Sequence, residues 1–216
     1  TSTPRDIKAG VHQGSVLGPI LYLIFTNDLP TPSSPRSVIA TFADDTIIMS
    51  ADESLGTAIN TLQTSIDETT NWFNKWGIKI NESKTIGVIY TNKRKRENSP
   101  TLTINGEPIK IEKDAKYLGI IIDEKLTWKK HILKIKKQLQ HKTRQLYWLI
   151  GPKSTLSLLN KILIYKATIK PIWTYGLQIW GTTFNSNLEI IERQQSKILR
   201  LMTNAPRYVS KNQLHY

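Results

Sequence analysis

Asp44 and Asp45 are adjacent carboxylates set between two short apolar runs, Val38-Ile39-Ala40 and Ile47-Ile48-Met49. Both runs are rich in β-branched residues and read as strands. Paired aspartates are poor strand formers and good turn formers. The stretch Thr41-Phe42-Ala43-Asp44-Asp45-Thr46 therefore predicts a hairpin with both acids at its tip. Two like charges at such a tip stay ionised only in water or beside a cation. An oxygen-only pair suits a hard divalent ion such as Mg²⁺. A solvated turn that happens to hold two acids is the alternative, and the neighbouring elements decide between them.

Composition narrows the choice. A chain of 216 residues, 39% hydrophobic and 22% charged, has the make-up of an ordinary globular protein with a sizeable core. The absence of cysteine excludes disulfides, thiolate catalysis and cysteine-ligated zinc. The longest apolar segment, Ile20 to Phe25, is far too short to cross a bilayer, so no membrane span is expected. Thr1 to Asp6 has no secretory or transit character. The chain opens without Met and is expected to be a piece of something longer. Net charge is +13, unevenly spread: residues 1–90 hold 6 Lys/Arg against 9 Asp/Glu, and residues 91–216 hold 24 against 8. A mildly acidic half joined to a strongly basic one points to a polyanionic partner, nucleic acid before membrane surface.

The elements around the acid pair read as follows. Gly10 to Pro19 forms a turn into a helix, with Ser15 a candidate N-cap and Leu17, Ile20, Leu21, Ile24 and Phe25 at helical spacing. Beyond the hairpin, Leu55 to Trp76 predicts a long amphipathic helix, with Trp72 and Trp76 in the core. Ile78-Lys79-Ile80 and Thr85 to Tyr90 predict strands, and Lys93-Arg94-Lys95-Arg96 a polar loop. Asn105-Gly106 between short apolar runs is a type I′ hairpin signal. Tyr117 to Ile122 predicts one buried strand. From Trp128 the pattern becomes helical: Ile132, Ile135, Leu139, Leu146 and Leu149 make an apolar seam. Lys129, Lys130, Lys134, Lys136, Lys137, Lys142 and Arg144 cover the other faces. Further helices are predicted over Leu156 to Ile169, Ile172 to Trp180 and Leu188 to Met202, with breaks at Pro171, Gly181 and Asn185-Ser186.

Taken in order, these stretches resemble the reverse transcriptase of non-LTR, LINE-type retrotransposons, with jockey-like mobile elements the nearest likeness. The resemblance rests on Gly14 to Pro19, Asn27-Asp28-Leu29-Pro30, Phe42-Ala43-Asp44-Asp45, Asn81 to Thr85 and Tyr117-Leu118-Gly119. It continues through Thr174-Tyr175-Gly176, Trp180-Gly181 and Asn204-Ala205-Pro206. The resemblance implies an α+β fold. An incomplete right-hand polymerase palm, an antiparallel sheet with packed helices, would span residues 1–126. A basic all-α thumb with the start of a C-terminal region would span 127–216. It implies RNA-directed DNA polymerase activity on an RNA template and DNA primer with dNTPs, through two Mg²⁺ ions.

By the same resemblance Asp44 is the direct metal ligand and Asp45 its support. Gln13 and Gly14 pack by the incoming nucleotide and templating base, beside Phe42 and Ala43. Phe42 stands where many relatives carry Tyr, and His12 where they carry Pro. Lys84 is implied to assist the pyrophosphate leaving group, with a plain surface lysine as the alternative. Tyr117, Leu118 and Gly119 are implied to grip the primer end. The lysines and Arg144 beyond Trp128 are implied to contact backbone phosphates of an RNA–DNA hybrid.

A third carboxylate, from a strand preceding the Gly14 turn, and the finger segment that clamps the triphosphate are missing from the sequence. The chain alone is therefore expected to be inactive and to need the N-terminal part of the same polyprotein. A catalytically inactive remnant and a maturase-like nucleic-acid-binding protein are the alternatives. Nuclear residence of the parent protein is expected from the family and the Lys93 to Arg96 run.

Overall fold

The computed structural model describes residues 14–91, 101–206 and 208–214, so His12, Gln13 and the Lys93–Arg96 run lie outside the described residues. In chain order the first elements are α1 (Gly18–Phe25), β1 (Ser37–Phe42), β2 (Asp45–Ser50) and α2 (Leu55–Lys75). Short strands follow: β3 (Ile86–Val88), β4 (Thr103–Ile104), β5 (Glu107–Pro108), β6 (Lys110–Glu112), β7 (Asp114–Tyr117) and β8 (Ile120–Asp123). They pair only two by two, as β1-β2, β3-β6, β4-β5 and β7-β8. The remaining helices are α3 (Lys129–Gln145), α4 (Tyr147–Ile150), α5 (Leu158–Ile164), α6 (Lys170–Thr174), α7 (Leu177–Trp180), α8 (Asn185–Thr203) and α9 (Lys211–Leu214). The fold is thus mixed helix and sheet, and the incomplete antiparallel sheet expected is present as small two-stranded sheets. Two compact units result, residues 1–85 with 95–110, and residues 86–94 with 111–216. The boundary predicted near residue 126 falls inside the second unit.

In the first unit α2 is the organising element. Ile59, Ile66 and Trp72 form its buried face, joined by Leu102, Ile104 and Ile109. Gln63 binds β4 as a neighbouring strand would: its amide donates to the Thr103 carbonyl at 2.9 Å and its carbonyl accepts the Thr103 N–H at 2.9 Å. Asn105-Gly106 turns β4 into β5 with φ of +51° and +85°, the left-handed pair that a type I′ turn demands. Trp76, expected in the core, is 43% exposed: α2 ends one residue before it, and its ring meets Phe25 and Trp72 at the edge of the unit. Ile78-Lys79-Ile80 is not a strand: the Ile78 N–H is taken by the Phe73 carbonyl at 2.8 Å, which closes the helix end instead of a ladder. No residue of α1 is buried.

In the second unit α3 and α8 pack around Ile132, Ile135, Leu139, Ile191, Ile198 and Met202, with Ile150, Ile169 and Trp180 in the same core. Tyr117 to Ile122 does not run on as one strand; it folds back at Leu118-Gly119, with Tyr117 paired to Ile120. Pro171 does not break the helical run. A π-helical turn over Tyr165–Ile169 lies between α5 and α6, and Pro171 takes a first-turn position of α6, where its missing N–H costs nothing. The break comes later, at Tyr175-Gly176. Gly176 has φ +64°, and a Cβ there would stand 2.6 Å from the Ile120 side chain.

Candidate active site and nucleic-acid interface

Phe42 pairs with Asp45, so Ala43 and Asp44 are the two residues of the β1-β2 turn. Ala43 takes φ +51°, a left-handed conformation that costs a non-glycine residue about 1–2 kcal/mol. The Tyr22 hydroxyl of α1 donates to the Ala43 carbonyl and secures the turn in that shape. Asp44 and Asp45 are both exposed, and neither has a hydrogen-bond or ion partner among the described residues. Phe42 is 64% exposed beside them. Tyr22 is the residue missed in the sequence; the one signal for it is a single hydroxyl within the otherwise apolar run Ile20 to Phe25.

The same unit contains Lys84, exposed at the end of a short 3₁₀ turn (Glu82–Lys84) whose cap is Asn81; the Asn81 side chain accepts the Lys84 N–H at 3.2 Å. No contact joins Lys84 to the aspartates. Gly14, with φ +88°, is exposed, and Ser15 Oγ accepts the amides of Leu17 and Gly18 at 3.2 Å each, ahead of α1. Gln13 lies outside the described residues. Two carboxylates form the donor set at the tip, and among the described residues no group of three or more His, Asp or Glu is placed to hold a metal.

The second unit builds around the Leu118-Gly119 turn. Both residues have positive φ, +44° and +82°, again the type I′ pattern. Two long side chains close on its carbonyls: Tyr175 Oη donates to Leu118 O at 2.7 Å and Lys134 Nζ to Gly119 O at 2.7 Å. Lys130 forms an ion pair with Asp114 on β7. The basic residues of α3 therefore divide. Lys130 and Lys134 hold the β7-β8 hairpin, whereas Lys129, Lys136, Lys137, Lys142 and Arg144 have no carboxylate partner among the described residues. Leu133 floors a shallow groove on the outer face of α3, between Lys130, Lys134 and Lys137.

Asp123 and His131 fix α3 to the hairpin. The Asp123 carboxylate accepts the backbone N–H groups of Lys125, Thr127 and Trp128 and the Thr127 hydroxyl, at 2.7–3.3 Å. Burial pushes this carboxyl up, but those donors outweigh it and hold its pKa below the ordinary value of 3.8. His131 is buried against Trp180, and its Nδ1 accepts the Ile121 N–H at 3.3 Å. Desolvation, aided by the Lys134 ammonium, lowers its pKa from the ordinary 6.5, so the ring is neutral at pH 7. Its Nε2 is buried without a partner among the described residues.

Comparison with known proteins shows the family to which this acid-tipped hairpin belongs. Residues 1–122 match the family of reverse transcriptases (RNA-dependent DNA polymerases), and the chain belongs to that family. Its relatives come from non-LTR retrotransposons. It is 38% identical to the probable RNA-directed DNA polymerase from transposon X-element of Drosophila melanogaster, over 99% of this chain and 24% of that protein. It is 38% identical to the RNA-directed DNA polymerase from mobile element jockey of the same species, over 96% of this chain and 23% of that protein. The probable RNA-directed DNA polymerase from transposon BS is 37% identical over 99% of this chain and 24% of its own length. The chain thus spans about a quarter of the length of the curated relatives it matches. No solved structure matches it at a significant level. No helix among the described residues is long and apolar enough to cross a membrane.

Proposed function

We propose that the chain is the acid-tipped part of the palm (residues 1–126) and the thumb (127–216) of an RNA-directed DNA polymerase that extends a DNA primer on an RNA template. The observation that carries this reading is the Phe42-Ala43-Asp44-Asp45 turn: two unpartnered carboxylates at an exposed tip, inside the region that matches the family. The donor set suits Mg²⁺, being all oxygen and free of competing protein contacts. When bound, the ions would make the primer 3′-hydroxyl a better nucleophile and neutralise the triphosphate and leaving pyrophosphate. Asp44 and Asp45 would hold them, with a further carboxylate drawn from the rest of the polyprotein. Ala43 leaves the tip with no side chain beyond Cβ, so a primer end can approach closely, and Tyr22 keeps the tip in shape.

Phe42 would offer a flat apolar face, Gln13 and Gly14 would serve the incoming nucleotide and templating base, and Lys84 the pyrophosphate, as the family resemblance implies. Tyr117, Leu118 and Gly119 would hold the primer strand through a turn braced by Tyr175 and Lys134. Lys129, Lys136, Lys137, Lys142 and Arg144 would meet hybrid phosphates without reading sequence. Residues 111–123 belong to the same compact unit as the helices that follow, so a palm–thumb boundary at 126 would divide roles and not packing. The parent protein would work in the nucleus, where the DNA it primes from is found.

The deciding experiment is primer extension by the full-length element protein with Mg²⁺. Wild type should extend, whereas Asp44→Asn and Asp45→Asn should fall to background while keeping their affinity for RNA–DNA hybrid. Full extension by both variants would remove the metal assignment. The 216 residues alone, with two acids at the tip, should extend no primer.

A further inference from the structure

We infer that Tyr147 and Trp148 form a stacking platform for unpaired nucleotides, separate from the phosphate-contacting face of α3. Tyr147 is 52% and Trp148 74% exposed. The next two residues of the same helical turn point inward: Ile150 is fully buried and Leu149 packs against the core. The turn is pinned at both ends. The Leu146 carbonyl accepts the N–H groups of Leu149 and Ile150 at 2.9 and 3.0 Å. The Gly151 N–H returns to the Tyr147 carbonyl at 2.8 Å, and the buried Lys161 ammonium donates to the Gly151 carbonyl at 2.9 Å. Two large rings are therefore held out to solvent by a rigid mount, and neither meets another aromatic ring among the described residues.

Charge selects the occupant. From Lys125 to Leu188 the chain has twelve Lys/Arg and not one Asp or Glu. Arg144 precedes the rings and Lys153 follows them, both exposed. A protein partner would have to bring acidic side chains to this surface. A nucleic acid brings phosphates for the cations and base faces for the rings in one ligand. A paired duplex hides its base faces, so the ligand is a single strand, RNA or DNA. The inference rests on nucleic acid being the partner of this basic half, as proposed above.

The test titrates the purified 216-residue chain into three labelled probes, a 12-nucleotide oligouridylate, its deoxy counterpart and an RNA–DNA hybrid, and follows anisotropy at fixed salt. Trp148→Ala should weaken single-strand binding about tenfold, the loss of one stacked base, and leave hybrid affinity unchanged. Trp148→Phe should recover most of the loss, and the two single-strand probes report whether the sugar matters. Far-UV circular dichroism checks that the exposed substitution leaves the fold intact. Unchanged single-strand affinity in Trp148→Ala, with hybrid binding intact, overturns the platform and leaves the polymerase reading standing. An equal loss on hybrid also overturns it. A wild-type chain that binds none of the probes overturns both. Sedimentation equilibrium covers the remaining occupant: a wild-type dimer that Trp148→Ala dissolves would assign the rings to a second copy of the chain and overturn the platform.

Discussion

Lys134 and Lys137 lie three residues apart on one helix, carry the same charge and do different things. The Lys134 ammonium is spent on the Gly119 carbonyl, while Lys137 is exposed without a carboxylate partner among the described residues. Lys134→Met should lower the unfolding free energy by about 1.5–3 kcal/mol in urea titrations, the usual worth of a hydrogen bond involving a charged group. Lys137→Met should leave stability within about 0.5 kcal/mol, as surface substitutions do. It should instead weaken hybrid binding and reduce the salt slope by about one. Equal loss of stability in both variants would contradict this division. Resemblance places both residues among the phosphate contacts; only the turn that Lys134 reaches separates them.

At the scale of elements, the joint between α3 and the β7-β8 hairpin is held by a neutral histidine. An imidazolium could not accept the Ile121 N–H, and burial disfavours the charge, so the folded pKa lies below 6.5. Well above pH 6.5 the ring is neutral in both folded and unfolded chains, and its contribution is complete. As pH falls below that value the unfolded chain takes up a proton that the folded one refuses. Stability therefore declines until the pH passes the depressed folded value. The urea midpoint should fall between pH 7.5 and pH 5, and His131→Phe should flatten that window whatever it costs in absolute stability. Gly176 is a second joint. With its left-handed φ and a Cβ that would press on Ile120, Gly176→Ala should destabilise by about 1–3 kcal/mol in the same titration. A neutral result would mean that the break between α6 and α7 relaxes freely.

At the scale of the molecule, α1 leaves an apolar side open, although Tyr22 reaches the Ala43 carbonyl and Phe25 meets Trp72 and Trp76. Leu23 and Ile24 are 66% and 68% exposed, an apolar surface of the kind that further packing covers, and the curated relatives are about four times as long as this chain. Leu23→Lys with Ile24→Lys should reduce dye binding and self-association of the 216 residues without loss of stability. The same pair in the full-length protein should destabilise by several kcal/mol, as buried charges do. If the pair is harmless in the full-length protein, the surface is not a packing face.

The elements legible in the sequence are those governed by neighbours along the chain. The Ala43-Asp44 tip and the Asn105-Gly106 turn follow from local backbone preferences, and the α2 and α3 stripes follow from helical period. Family resemblance supplied the site assignments, and the shared order of motifs supported it. Distant partners decided the rest. Leu118-Gly119 reads as buried strand until β7 and β8 pair across it, and Pro171 reads as a break until a π turn absorbs it. Trp76 reads as core until α2 ends one residue short. Which lysines stay free for phosphate, and which ring titrates out of range, depend on carbonyls and indoles far away in sequence. Hydrogen bonds and desolvation act through space, and no spacing along the chain records them.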